Sequence, residues 1–128
     1  MRPNFVTWVI EELRQGNTIH VVDDQIGNPT YAPDVCEAVS RLLDKQAYGL
    51  FHVSGSEVIN RYDFALRIAE EFNLDKKLIQ KTTTEMLKQQ SPRPMNSSFI
   101  LDKLVNNIGW EPHDLQSALA LLKKELTE

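Results

Sequence analysis

Two short stretches hold the side chains best suited to chemistry. The first, DDQIGNPTYAPDV at residues 23 to 35, places two carboxylates and the amide of Gln25 ahead of Gly27, Pro29 and Pro33. The second, SPRPMNSS at residues 91 to 98, holds Arg93 between Pro92 and Pro94, with Asn96 and Ser97 following. Proline fixes φ, so flanking prolines restrict the arginine's backbone. They thereby lower the entropy lost when its planar guanidinium grips an anion in bidentate fashion. An anion-binding arm would have this pattern, and so would a solvated loop with a charged tip. The first stretch reads both as a turn shaped by Gly27 and Pro29 and as one wall of a pocket.

No complete catalytic constellation accompanies them. The glycines at 16, 27, 49, 55 and 109 cannot form a Gly-x-Gly-x-x-Gly phosphate cradle, and there is no Gly-x-x-x-x-Gly-Lys-Ser/Thr loop. His20, His52 and His113 lack metal-ligand spacing and Cys36 is the only cysteine, so neither a metal site nor an internal disulfide is expected. His20 and His52 sit in β-branched or apolar runs as hydrogen-bonded packing residues, and His113 reads as a solvated residue at a helix start. No catalytic residue is assigned.

The elements that would position these stretches alternate. Phe5, Val9 and Leu13, with Val6 and Ile10 beside them, recur at helical spacing over about residues 4 to 15, ahead of Gly16. Thr18 to Val22 is a β-branched strand, and Pro33 opens a helix whose apolar face is Val35, Ala38, Val39, Leu42 and Leu43. Leu50 to Val53 reads as a buried strand. Asn60 with Asp63 caps a helix through Phe72, Leu78 to Thr82 is a further strand, and Thr83 caps a brief turn. Asp102 is positioned to cap a helix ending at Gly109, and Leu115, Leu119, Leu122 and Leu126 mark a last helix. The expected class is α/β with mixed α+β character: a small sheet of three to four short strands with about five helices.

At 128 residues with 41% apolar side chains, the chain can bury the core of a single domain, residues 1 to 128. Net charge is −4 and the basic residues are dispersed, so no nucleic-acid partner is expected. No apolar run reaches bilayer length and the N-terminus lacks a cleavage signal, so a cytoplasmic protein without membrane contact is expected.

Taken together, DQIGNPTYAPDVCEAV, GLFHVSG, NRYDFALRIAEEF, IQKTTTEML and SPRPMNSSFILDKL resemble, in order and spacing, the C-terminal part of the dTDP-4-dehydrorhamnose reductase family, within the extended short-chain dehydrogenase/reductases. The resemblance implies a substrate-binding portion lacking the N-terminal Rossmann half, which in such enzymes binds NADPH or NADH and supplies a Tyr-x-x-x-Lys pair. Tyr31, Tyr48 and Tyr62 are followed four residues later by Val35, His52 and Leu66, so that pair is absent. The chain alone is therefore expected to bind no cofactor and to be inactive. By position, the resemblance implies that Asn4 lies near the nucleotide diphosphate and that Gln25, Gly27 and Pro29 line the sugar-nucleotide pocket. It also implies that Arg93 clamps the pyrophosphate beside Asn96 and Ser97. The expected partners are a nucleotide-sugar substrate, the Rossmann half, and a second copy covering apolar surface. Alternatives are part of another nucleotide-sugar epimerase or dehydratase, or a non-catalytic regulatory module like the methionine adenosyltransferase regulatory subunit.

Overall fold

Residues 4 to 127 are described by the computed structural model. In chain order the elements are α1 (Phe5–Arg14), β1 (Ile19–Val22), β2 (Ile26–Gly27), α2 (Ala32–Asp44), β3 (Ile59–Asn60), α3 (Arg61–Glu71), a 3-10 turn (Lys76–Leu78), β4 (Ile79–Thr82), α4 (Thr84–Leu87), α5 (Asp102–Ile108) and α6 (Leu115–Thr127). The class is mixed α/β, with four short strands in two pairs, β1 with β4 and β2 with β3, and six α-helices among the described residues. The chain divides into two compact units: Met1–Ile26 with Ile59–Asn96, and Gly27–Val58 with Ser97–Glu128.

The first unit is built on β1 and β4. They run parallel in the register Ile19 to Ile79 through Val22 to Thr82, and the Asp23 N–H donates to the Thr82 carbonyl at 3.1 Å to extend the ladder. Parallel neighbours need a long crossover, and here the intervening chain includes α3, which packs on both strands and on α1. Val9, Ile10 and Leu13 of α1, Val21 and Val22 of β1, and Ala65, Ile68 and Ala69 of α3 form the buried core. Each fully buried Val, Leu or Ile side chain there contributes roughly 1.5–3 kcal/mol. The helix starts follow the sequence: Asn4 Oδ1 accepts from the Thr7 N–H at 3.0 Å, Asn60 Oδ1 from the Asp63 N–H at 2.8 Å, and the Thr83 hydroxyl from the Met86 N–H at 3.3 Å. Gly16, at φ +76°, ends α1 in the left-handed conformation that glycine adopts most cheaply.

The second unit has a small core of Ala38, Leu104 and Ile108, with Leu42, Phe51, Val53 and Trp110 packed against it. Its second organising feature is polar. Asp34, only 3% exposed, accepts from the His113 backbone N–H at 2.8 Å and meets His113 Nδ1 at 2.7 Å. His113 is exposed and stands just before α6, as the sequence suggests, and it also anchors the buried Asp34. The same bond bears on α2. Asp34 and Ala38 are the buried residues of α2 and Leu42 packs on the same core, so only part of the expected apolar face turns inward. Val35, Val39 and Leu43 are left exposed, Leu43 by 69%.

Two further expectations are corrected. Leu50–Val53 is not a strand. Phe51 and Val53 turn into the core while Leu50 is 76% exposed, and side chains hold the segment: Lys103 Nζ donates to the Leu50 carbonyl at 2.6 Å and lies over the Phe51 ring. Asp102 occupies the first turn of α5 and does not cap it; the capping position is Leu101, whose side chain makes no such bond. A carboxylate in the first turn still complements the helix dipole.

Gly55 is buried hard against Pro29: a Cβ there would collide with the Pro29 carbonyl oxygen and stand 3.2 Å from its carbon. The Asn28 amide also donates to the Gly55 carbonyl, and the Gly55 N–H to the Thr30 hydroxyl, so neither backbone can move away without losing bonds. Gly55→Ala is expected to cost about 3 kcal/mol of stability in urea denaturation, because backbone rather than a flexible side chain must yield.

Candidate functional site

The C-terminal ends of two parallel strands deliver their following loops to the same edge, which is where open α/β sheets place ligands. The first unit has a cleft of about 220 Å³ at this place. His20, Val21 and Val22 of β1 form its floor, and Phe5 and Trp8 of α1 its aromatic wall. Gln25, Gln89 and Leu87 come from the segments after β1 and β4, and two guanidinium groups, Arg61 and Arg93, complete it. The lining contains no carboxylate.

Hydrogen bonds fix the approach to the cleft. Both Asp24 carboxylate oxygens accept from the Thr84 N–H, at 3.1 and 3.0 Å, and Oδ1 accepts from the Thr84 hydroxyl at 2.7 Å. The Thr84 hydroxyl in turn accepts from Gln25 Nε2 at 3.0 Å, and the same amide nitrogen donates to Gln89 Oε1 at 3.0 Å. Gln25 is 6% exposed, so both of its amide protons are committed to holding α4 and residue 89 against the end of β1. The proline-flanked arm is tied down by backbone: the Ile26 N–H donates to the Met95 carbonyl at 2.8 Å, and Ile26 bridges to Asn96. Arg93 therefore extends from an anchored segment while remaining exposed itself.

Gln25 and Arg93, singled out from sequence, line one cleft. Asn96 supports the arm through its backbone bridge, and Asn4 caps α1 with its side chain. In the second unit, Gly27 allows close approach of Ser97, whose hydroxyl would lie 3.2 Å from a Cβ at position 27, and Pro29 is the residue packed on Gly55. Asn28, which the sequence reading passed over, is a hub of that unit: Oδ1 accepts from the Phe99 N–H at 2.8 Å while Nδ2 donates to the Gly55 carbonyl at 3.1 Å. Tyr31 donates to Glu125, and that bond to a carboxylate pushes its phenol up to about 12.

Sequence reasoning also missed Arg61, Thr84 and Gln89. One signal for Arg61 was available: a cation directly after the capping Asn60 sits at the helix end that disfavours positive charge.

A dinucleotide cofactor needs a glycine-rich cradle, and the glycines present do not supply one. Gly16 and Gly109 end α1 and α5, Gly55 is buried against Pro29, and no two glycines share a turn. This chain's residues do not fit such a group. Among the described residues, no cluster of three or more His, Cys, Asp or Glu side chains could hold a metal ion, and no helix is long and apolar enough to cross a membrane.

The fold is that of a portion of the extended short-chain dehydrogenase/reductases, and known proteins narrow the assignment. The family model described as RmlD substrate binding domain matches residues 1–128, and the chain belongs to that family. It is 34% identical over 116 residues to the spore coat polysaccharide biosynthesis protein SpsK of Bacillus subtilis (strain 168), covering 91% of this chain and 40% of that protein. It is 32% identical over 127 residues to the dTDP-4-dehydrorhamnose reductase of Aggregatibacter actinomycetemcomitans, covering 91% and 43%. Among solved structures it is similar to dTDP-4-dehydrorhamnose reductase from Bacillus anthracis str. Ames in complex with NADP. That match has a TM-score of 0.89 and 28% identity, over 98% of this chain and 44% of that one. The chain thus spans about two fifths of the length of the curated relatives it matches.

Asp24 carries a pH signature. Its bond from the Thr84 hydroxyl, followed by that from the Thr84 N–H, holds the carboxyl below its usual 3.8. A carboxyl depressed in the folded state adds stability that is complete above the unfolded pKa and is lost as pH falls through the folded one. Urea denaturation from about pH 5 down to about pH 2 should therefore show a smaller acid-dependent loss of stability in Asp24→Asn than in the parent.

Proposed function

We propose that this chain is the sugar-nucleotide-binding region of an NAD(P)-dependent reductase of the dTDP-4-dehydrorhamnose reductase type, acting in dTDP-rhamnose biosynthesis. The family match over residues 1–128 supports reading the chain as one substrate-binding domain. The observation that carries the proposal is the cleft. In a chain of net charge −4, Gln25 and Arg93 converge on a cavity whose lining has no carboxylate. A cavity of that character favours an anion, and the nucleotide diphosphate is the anionic part of such a substrate.

Arg93 is the pyrophosphate contact in this reading. A guanidinium takes two phosphoryl oxygens through parallel N–H donors, and one such contact contributes about 1.5–3 kcal/mol. Gln25 acts as a positioning residue: its amide protons hold α4 and Gln89 in place and so shape the cleft that Arg93 closes. Trp8 offers flat apolar surface for the less polar part of the ligand. NADPH or NADH supplies the hydride in such a reductase, and the residues here bind and orient the nucleotide sugar. The expected role of the chain is to hold substrate, with no turnover of its own.

Isothermal titration of the chain with dTDP tests this. Binding by the parent and a roughly ten-fold weaker affinity in Arg93→Ala, at unchanged Tm, are expected. A large fall in Tm on that substitution would make Arg93 structural, and absence of dTDP binding by the parent would overturn the reading.

A further inference from the structure

No role falls to Arg61 from the sequence alone, yet five features of its setting point to a ligand. It lines the same cleft as Arg93. Its guanidinium carbon lies 5.3 Å from the centre of the Phe5 ring, and Phe5 is itself braced by Phe64 at 5.2 Å and Trp8 at 5.9 Å between ring centres. A flat cation resting on a braced aromatic face is preorganised, so less side-chain entropy is lost when it takes an anion.

Among the described residues, neither Arg61 nor Arg93 has a carboxylate partner. The acid nearest to Arg61 in sequence, Asp63, is held by the Asn60 amide at 2.6 Å. Arg61 is also the first residue of α3, where the helix dipole places partial positive charge and a cation costs a few tenths of a kcal/mol. Helix stability alone would not favour arginine there, whereas an anion in the cleft would offset that cost by pairing with the guanidinium. Finally, the Arg61 N–H donates to the Gln25 carbonyl at 3.1 Å, which fixes the residue's backbone to the loop that forms the cleft.

We propose that Arg61 is a second anion-binding residue of the cleft, so that the site offers one guanidinium to each phosphoryl group of a nucleoside diphosphate and is built for it in preference to a monophosphate. This rests on the nucleotide-sugar reading above and adds its charge selectivity. Arg61 reaches the anion from the aromatic wall and Arg93 from the proline-flanked arm.

The test is isothermal titration of the chain and its Arg61→Ala and Arg93→Ala variants with dTDP and with dTMP, alongside their Tm values. Arg61→Ala should weaken dTDP about ten-fold, weaken dTMP less, and so narrow the parent's preference for the diphosphate. If Arg93→Ala weakens dTDP binding while Arg61→Ala leaves it unchanged, the inference is overturned and the nucleotide-sugar reading stands. No dTDP binding by the parent overturns both. Should Arg61→Ala lower Tm, Arg61→Met keeps an apolar stem over Phe5 and decides the matter. The same affinity loss at parental Tm supports a ligand role; parental affinity refutes it.

Discussion

The fold of the first unit turns on the bond between Asp24 and Thr84. It joins the residues just past β1 to those just past β4, and because these strands are parallel neighbours, both chains leave the ladder at the same edge. One carboxylate takes the N–H and hydroxyl of one threonine, and the threonine oxygen passes the connection on to Gln25 and from there to Gln89. The set is cooperative, since each oxygen that accepts also belongs to a group that is itself held. The result is a fixed opening rather than two loose loops.

That opening has a charge opposite in sign to the chain that builds it. Acids outnumber bases, but none lines the cleft: Asp24 is bonded to Thr84, Asp63 to Asn60, and Asp23 pairs with Lys81 at 3.5 Å. The arginines are the charges left facing the space. Net charge is thus a poor guide to what a site binds, because the field in a cleft is set by the few groups that line it and are not neutralised nearby.

Local signals were legible where a residue acts on its own neighbours. Asn60 and Thr83 cap the helices that follow them, as side-chain oxygens three residues before an orphan N–H do in any sequence, and β1 and β4 come from β-branched runs. Leu50–Val53 misled because apolar content between two glycines does not provide a neighbouring strand, and without one the segment is held by Lys103 and the core instead. The face of α2 was legible in part: Ala38 and Leu42 reach the core as periodicity suggests, whereas the bonds between Asp34 and His113 bury a polar residue that periodicity does not count.

For the cleft, residue type and order were enough to mark Gln25 and Arg93, because a proline-flanked arginine and a turn rich in glycine and proline are unusual on any backbone. Everything that depends on distance in the chain was decided by tertiary structure: that Gln25 reaches Thr84 across 59 residues, that Arg61 rests on Phe5, and that no acid lines the space between them. The sequence determined which groups were available and which backbones were stiff. Packing of α3 onto the β1–β4 pair determined which of those groups meet, since contacts between distant residues form only when the core that joins them is buried.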